Sequence, residues 1–235
     1  MFSLLKPLTK IFSALMRRII KISVLILYAM GVALMIKIDN VRADLITSNI
    51  PESSEIVDSI IVHFTHGSTV NEGCEYSKPT PGGYMGGHVE VEIDSFFYGH
   101  TVIEFPIRVF AYDAVKNGRF EILSMEEWQA ETEGDMLTSI VIPVNHQQEE
   151  KLDSLITAYK NEAPYDYAFF GQRCTSFSAL FLSKAGVLND LSELEAVSAF
   201  FYPRAFRTTM LEYANRNDLT VISKTGADCR NWEGD

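Results

Sequence analysis

The sequence predicts an α+β domain with a hydrophobic helix ahead of it. Three observations carry that expectation. Between residues 59 and 144 the apolar residues fall in short runs of strand length, several alternating with period two. From 146 to 216 the spacing becomes helical, so strands come mainly first and helices later. Ahead of both lies an uncharged run from Ile22 to Ile36. At 235 residues, 47% hydrophobic and 11% aromatic, the chain can bury a real core, and it carries no low-complexity tract and no repeat at solenoid periods.

The first segment, "MRRIIKISVLILYAMGVALMIKIDNVRAD" (16–44), reads as a targeting element. Arg17, Arg18 and Lys21 precede the apolar run, whose fifteen residues suit a signal peptide better than a full span, which needs about 20. Val41-Arg42-Ala43 offers a small-residue cleavage site. Leu4, Leu8, Ile11 and Leu15 continue helical spacing upstream, and the run extends back through Ile19, as in an uncleaved anchor. Both outcomes stay open. In either, the basic flank remains cytoplasmic and the body is exported, anchored outside the cytoplasm or released as a secreted or periplasmic protein after Ala43. The expected division is 1–43 signal peptide or anchor, 44–57 linker, 58–223 catalytic domain and 224–235 polar tail.

Charge divides the same way. Residues 1–43 hold seven Lys/Arg against Asp39, whereas the remaining 192 hold 13 Lys/Arg and 30 Asp/Glu, a net of −17. Such a body is a poor partner for nucleic acid, whose affinity comes largely from cations on phosphate.

Within the body, "SIIVHFTHGS" (59–68) reads as a strand ending at Gly67, followed by a long Gly/Pro-rich loop. "HVEVEID" (88–94) alternates strictly, with Val89, Val91 and Ile93 on one face and His88, Glu90, Glu92 and Asp94 on the other. "SFFYGH" is expected to turn the chain, and "TVIEFPIRVFAY" to add one or two strands with a break at Pro106. Asn117-Gly118 signals a hairpin before "RFEIL". Ser124 and Glu127 form a capping box for a short helix, and "TSIVIPV" (138–144) is another strand. Leu152, Leu155, Ile156 and Tyr159 line one helical face before Pro164. After Cys174, Phe177, Leu180 and Phe181 make the apolar stripe of a helix ended by Gly186. Pro203 opens a last helix and "LTVIS" (219–223) a last strand.

Chemistry centres on "GQRCTSFSALFLSKAGV" (171–187). A cysteine at the first turn of a helix lies beside unpaired backbone N–H groups and the positive end of the dipole, which favour thiolate and can receive an oxyanion. Thr175, Ser176 and Ser178 fall off the apolar stripe, and Arg173 adds positive charge. The bland alternative is a buried, inert thiol. A thiolate nucleophile needs a base and something to orient it. His88 opens its strand after Gly86-Gly87, and Glu104 in "TVIEF" is expected on the next strand, with His100 as its rival for the orienting role. An oxidising compartment permits a Cys74–Cys229 disulfide; three free thiols are the other possibility, and either leaves Cys174 unpaired.

"GGHVEVEID … TVIEF", followed by "YDYAFFGQRCTSFSALFLSKAGV", resembles the circularly permuted branch of the NlpC-like papain-fold cysteine hydrolases, which includes the lecithin:retinol acyltransferase-like proteins. The resemblance covers about residues 58–215. It implies a permuted papain-like fold, an antiparallel sheet packed against helices. It also implies Cys174 as nucleophile, His88 as base and Glu104 or His100 as third residue. Thr175, Gln172, Tyr165 and Tyr167 become oxyanion or cleft candidates. The Asp/Asn-Cys pair common in that group is replaced by Arg173-Cys174.

The expected function is an exported cysteine hydrolase, an amidase, peptidase or esterase working through a thioester, with cell-wall peptides among the candidate substrates. Lipid acyl transfer or phospholipase chemistry on the same fold, or a silent binding domain, are the alternatives. A peptide, amide or acyl ester is the expected partner, together with the membrane if the N-terminal segment stays. No cofactor is expected, and no metal: His63 and His66 in "HFTH" would face opposite sides of a strand, without a Cys-x-x-Cys to support them. No Gly-x-Ser-x-Gly elbow, P-loop or dinucleotide fingerprint occurs.

Overall fold

Why one strand lies at the centre of the sheet follows from its composition. The computed structural model describes residues 5–45, 50–52, 55–76, 80, 82–111 and 116–234. It divides into two compact units, Met1–Asn40 and Val41–Asp235. The first is the bulk of helix α1 (Leu5–Leu45), whose stretch from Ile22 is apolar and long enough to cross a membrane. Leu25, Leu27 and Tyr28 stand exposed along it.

In the body, β1 (Ile56–His66) carries Ile60, Val62 and Phe64, all fully buried. It is flanked on both sides. β2 (Ser68–Val70) and a 3₁₀ turn (Gly83–Met85) lead to β3 (Gly87–Ile93), which pairs with β1. Asp94 and Ser95, both at positive φ (51° and 64°), make a two-residue hairpin into β4 (Phe96–Val102). β5 (Arg108–Phe110) leaves the sheet, and β6 (Gly118–Ser124) returns beside β4. Ser124 caps α2 (Met125–Glu131) with the capping box complete. β7 (Leu137–Asn145) pairs with β1 on its other side, and Asn145 caps α3 (His146–Asn161). β8 (Ala168–Phe170) pairs with β5 outside the main sheet. Then come α4 (Cys174–Lys184), α5 (Glu193–Ala199), α6 (Pro203–Arg216), β9 (Val221–Lys224) and β10 (Arg230–Trp232).

The main sheet has the order β6-β4-β3-β1-β7-β9, and every pair is antiparallel. Alternation gives it two unlike faces. Val62, Phe64, Val89, Val91, Ile140 and Ile142 face α3, α4 and α6; Phe64 meets Phe206 edge-on at 5.5 Å. The opposite face is polar but covered. Trp128 of α2 stacks on Phe97 at 4.2 Å and donates its indole N–H to Glu90 at 2.7 Å. His63 bridges Ser139 (2.8 Å) and Glu92 (2.9 Å) there. The fold is thus α+β, an antiparallel sheet packed against helices.

Several boundaries move from the sequence reading. β1 begins at Ile56, inside the segment assigned as linker, because its first residues already pair with the end of β7. "SFFYGH" is not a turn but most of β4, since Asp94-Ser95 closes the hairpin earlier and shifts everything after it. The strands expected in "TVIEFPIRVFAY" shrink to the end of β4 and short β5. The 224–235 tail is not loose. β10 pairs with β2, Cys229 is disulfide-bonded to Cys74, and Arg207 meets Glu233 at 2.7 Å with both side chains buried.

Candidate active site

Strand β3 delivers His88 and helix α4 delivers Cys174. Gly87 is the reason β3 can open so close to β1: its φ is 105°, and a side chain there would strike the Thr65 carbonyl. α4 begins at Cys174, with Arg173 as N-cap; the Arg173 N–H donates to Ser176 Oγ at 3.0 Å. Ser178 Oγ, one turn along, reaches the Val89 carbonyl at 3.5 Å and ties α4 to β3. Cys174 is the one unpaired cysteine, and it is buried.

Thiol and imidazole line the same cavity, close enough for each to shift the titration of the other. Burial alone would push the Cys174 thiol up. The His88 imidazolium, the Thr175 hydroxyl and the Arg173 guanidinium outweigh it and hold the thiol down at about 7. Burial likewise disfavours the charged form of His88, but the Cys174 thiolate, followed by Glu90 and Glu121, lifts that imidazole to about 10. The pair is therefore a thiolate and an imidazolium between roughly those two values.

Two carboxylates the sequence reading did not assign complete the surroundings. Glu90 is two residues along β3, so its side chain shares a face with His88, and its Oε1 lies 3.8 Å from His88 Nε2. Glu121 of β6 is opposite Gly99 of β4. Gly99 has no side chain to separate them: a Cβ there would sit 3.4 Å from both His88 Nε2 and Glu90 Cγ. Burial pushes Glu90 up, while His88 and the Trp128 indole pull it down. The ligand-type atoms of His88, Glu90 and Glu121 all lie within 4.8 Å of one another, a spacing open to a cation. Glu90 is engaged by Trp128, however, Glu121 by Arg119 at 2.6 Å, and His88 by the thiol. No metal role is assigned to them. The alternation in "HVEVEID" did place Glu90 beside His88; that α2 buries this face was not legible there.

Glu104 does not take the third position. Because the hairpin closes early, it falls beyond the end of β4, its side chain exposed and its backbone clamped by Asn117 through two 2.9 Å hydrogen bonds. His100 is nearer but different in kind. It is fully buried between Phe177 (5.1 Å) and Tyr167 (5.4 Å), and burial lowers it to about 4, so it is neutral at working pH. Tyr167 and Thr175 do lie at the site. Tyr167 lines the cavity with Cys174, burial pushes its own titration up, and Thr175 Oγ1 is 3.7 Å from the sulfur. Gln172 is buried off the cavity with its carbonyl bonded to the Ala168 N–H, and the Tyr165 hydroxyl accepts from Lys184 at 2.6 Å. The Cys74–Cys229 disulfide is formed.

A cavity of about 810 Å³ opens on Cys174, His88, Glu90 and Glu121. Phe105, Phe169, Phe201 and Tyr202 form one wall, and Arg230 lies at another, held by Ser68 Oγ (3.0 Å) and Asp135 (3.2 Å). The Arg173 guanidinium stacks on Phe201 at 3.5 Å. Comparison with protein-family models, with curated proteins and with solved structures gives no match.

Proposed function

We propose that the body is a thiol hydrolase or acyl-transfer enzyme of the permuted papain-like type its motifs resemble. The observation that carries this reading is the Cys174–His88 pair, charged near neutral pH and open to a large cavity. Cys174 Sγ attacks the carbonyl carbon of an amide or ester. The oxyanion is received by N–H groups of the first turn of α4, with the Tyr167 hydroxyl alongside. The His88 imidazolium gives its proton to the departing amine or alcohol, leaving a thioester on Cys174. Water or an acceptor alcohol or amine then attacks the thioester; His88, now neutral, takes the incoming proton, and the thiolate departs. Glu90 and Glu121 act as positioning residues that keep the imidazole charged and aimed, the role first sought at Glu104. Cell-wall peptides and lipid acyl esters both meet the chemical requirement. We further propose export of the body, with α1 as membrane anchor; the Arg42 guanidinium bonds the Ala199 carbonyl (2.7 and 3.1 Å) and Leu45 is 2% exposed, so residues around the Ala43 site belong to the folded body.

Thiol reactivity tests the nucleophile. At neutral pH iodoacetamide should alkylate Cys174 in the native protein, with Cys74 and Cys229 silent in their disulfide. His88→Ala should slow the reaction about fifteen-fold as the thiol returns toward its ordinary value. Labelling of Cys174 only after denaturation would leave a binding domain instead. Incubation with muropeptides and with phospholipids, read by mass spectrometry, then separates the substrate classes.

A further inference from the structure

The β5–β8 ribbon leaves a cluster of large apolar side chains in solvent: Phe105 is 76% exposed, Phe110 69%, Phe170 57% and Phe169 43%, with Ile103 and Val109 beside them. Three of the phenylalanines join two further rings in a continuous row. Phe110 meets Phe170 at 5.6 Å, Phe170 meets Phe169 at 4.9 Å, and Phe169 meets Phe201 at 5.1 Å, which in turn meets Tyr202 at 4.8 Å. Exposed aromatic patches of this kind mark an interaction surface. Two facts choose the partner. Apart from the buried Arg207 and Asp166, the stretches that carry the patch (101–119, 165–173 and 200–207) hold five Lys/Arg against two Asp/Glu, whereas the rest of residues 44–235 hold seven against 27. A body that is acidic elsewhere therefore presents here a non-acidic, aromatic-rich surface, the composition that settles at a lipid headgroup boundary. The same chain also carries an apolar helical stretch, Ile22–Leu45, long enough to cross a bilayer, which on the anchoring proposed above keeps the body within reach of one.

We propose that this ribbon docks the body on a membrane surface, with Phe105, Phe110, Phe169 and Phe170 entering the headgroup region. Since Phe105, Phe169, Phe201 and Tyr202 also line the cavity, its aromatic wall continues into the docked surface. The docking is independent of whether Cys174 acts as a nucleophile.

The test uses the full chain reconstituted in phosphatidylcholine vesicles containing a phosphatidylcholine with a diazirine in its acyl chain. After photolysis, mass spectrometry maps the adducts. Adducts at residues 103–111 and 168–170, besides those in Ile22–Leu45, are expected. In the double variant Phe110→Ser, Phe170→Ser, the body adducts should fall about tenfold while the helix adducts, an internal standard, stay constant. An unchanged melting temperature shows that the variant is folded. Adducts confined to the helix overturn the proposal, as does a cross-linked dimer whose patch is shielded from lipid.

Discussion

Cys174 and His88 set opposite limits on pH. The thiol, lowered to about 7, loses its proton as pH rises through that value, while the imidazole, raised to about 10, keeps its own until far higher. Alkylation needs only the thiolate, so its rate should rise through pH 7 and then level off. Acyl transfer also needs the imidazolium, so its rate should fall again toward pH 10 and give a bell. Glu90 bears on the second limb, because its carboxylate sits 3.8 Å from the ring and helps to raise it, whereas the groups that hold the thiol down are His88, Thr175 and Arg173. Glu90→Gln keeps an acceptor for Trp128 and removes the charge. It should bring the alkaline limb down by about one pH unit and leave the acidic limb nearly in place. A rate loss with an unmoved profile would mean that Glu90 only packs. Legibility at this scale was uneven. Cys174 and His88 could be found because each opens an element, and openings have sequence signals. The carboxylates could not, because what makes Glu90 special is the Trp128 indole, brought from 38 residues away.

At the scale of elements, the site depends on a gap in β4. Gly99 lies between Glu90 and Glu121, and the His88 ring and the Glu90 stem lie 3.4 Å from where its Cβ would be, room for a methyl but not for a branched side chain. Gly99→Val should therefore cost about 1–3 kcal/mol from overpacking and displace the imidazole, so that Cys174 loses its neutral-pH alkylation while the protein still melts cooperatively. α2 guards the same face from above. Ser124→Ala removes one half of its capping box, with a cost of about 1 kcal/mol and a fall in Tm of about 2–4 °C in a calorimetric scan. Helices and caps were readable because their signals are local: Ser124 with Glu127, Pro203 at the start of α6, Gly186 after α4. The hairpin at Asp94-Ser95 was not, since neither residue is the glycine or asparagine that normally accepts positive φ, and its misplacement carried Glu104 from an expected strand into a loop.

For the molecule as a whole, the last eleven described residues close the cavity rather than trail from it. β10 pairs with β2, Glu233 receives the buried Arg207 guanidinium, and Arg230 bonds Ser68, Thr80 and Asp135 in the cavity wall. All of this is fastened by Cys74–Cys229, which joins positions 155 residues apart. Such a link acts chiefly by restricting the unfolded chain, so Cys74→Ser with Cys229→Ser should cost about 2–5 kcal/mol, seen as a lower denaturant midpoint that reductant brings on equally in the parent protein. The proposed nucleophile lies outside this clasp. Cys174 is held by α4 against β3, and neither element is bonded to the C-terminal arm through the disulfide. The inflection of Cys174 alkylation near pH 7 should therefore survive in the double variant at temperatures where it remains folded. A shift of that inflection toward pH 9 would show instead that the arm sets the geometry of the pair, and would make the proposed catalytic centre conditional on the oxidising compartment into which the body is proposed to be delivered.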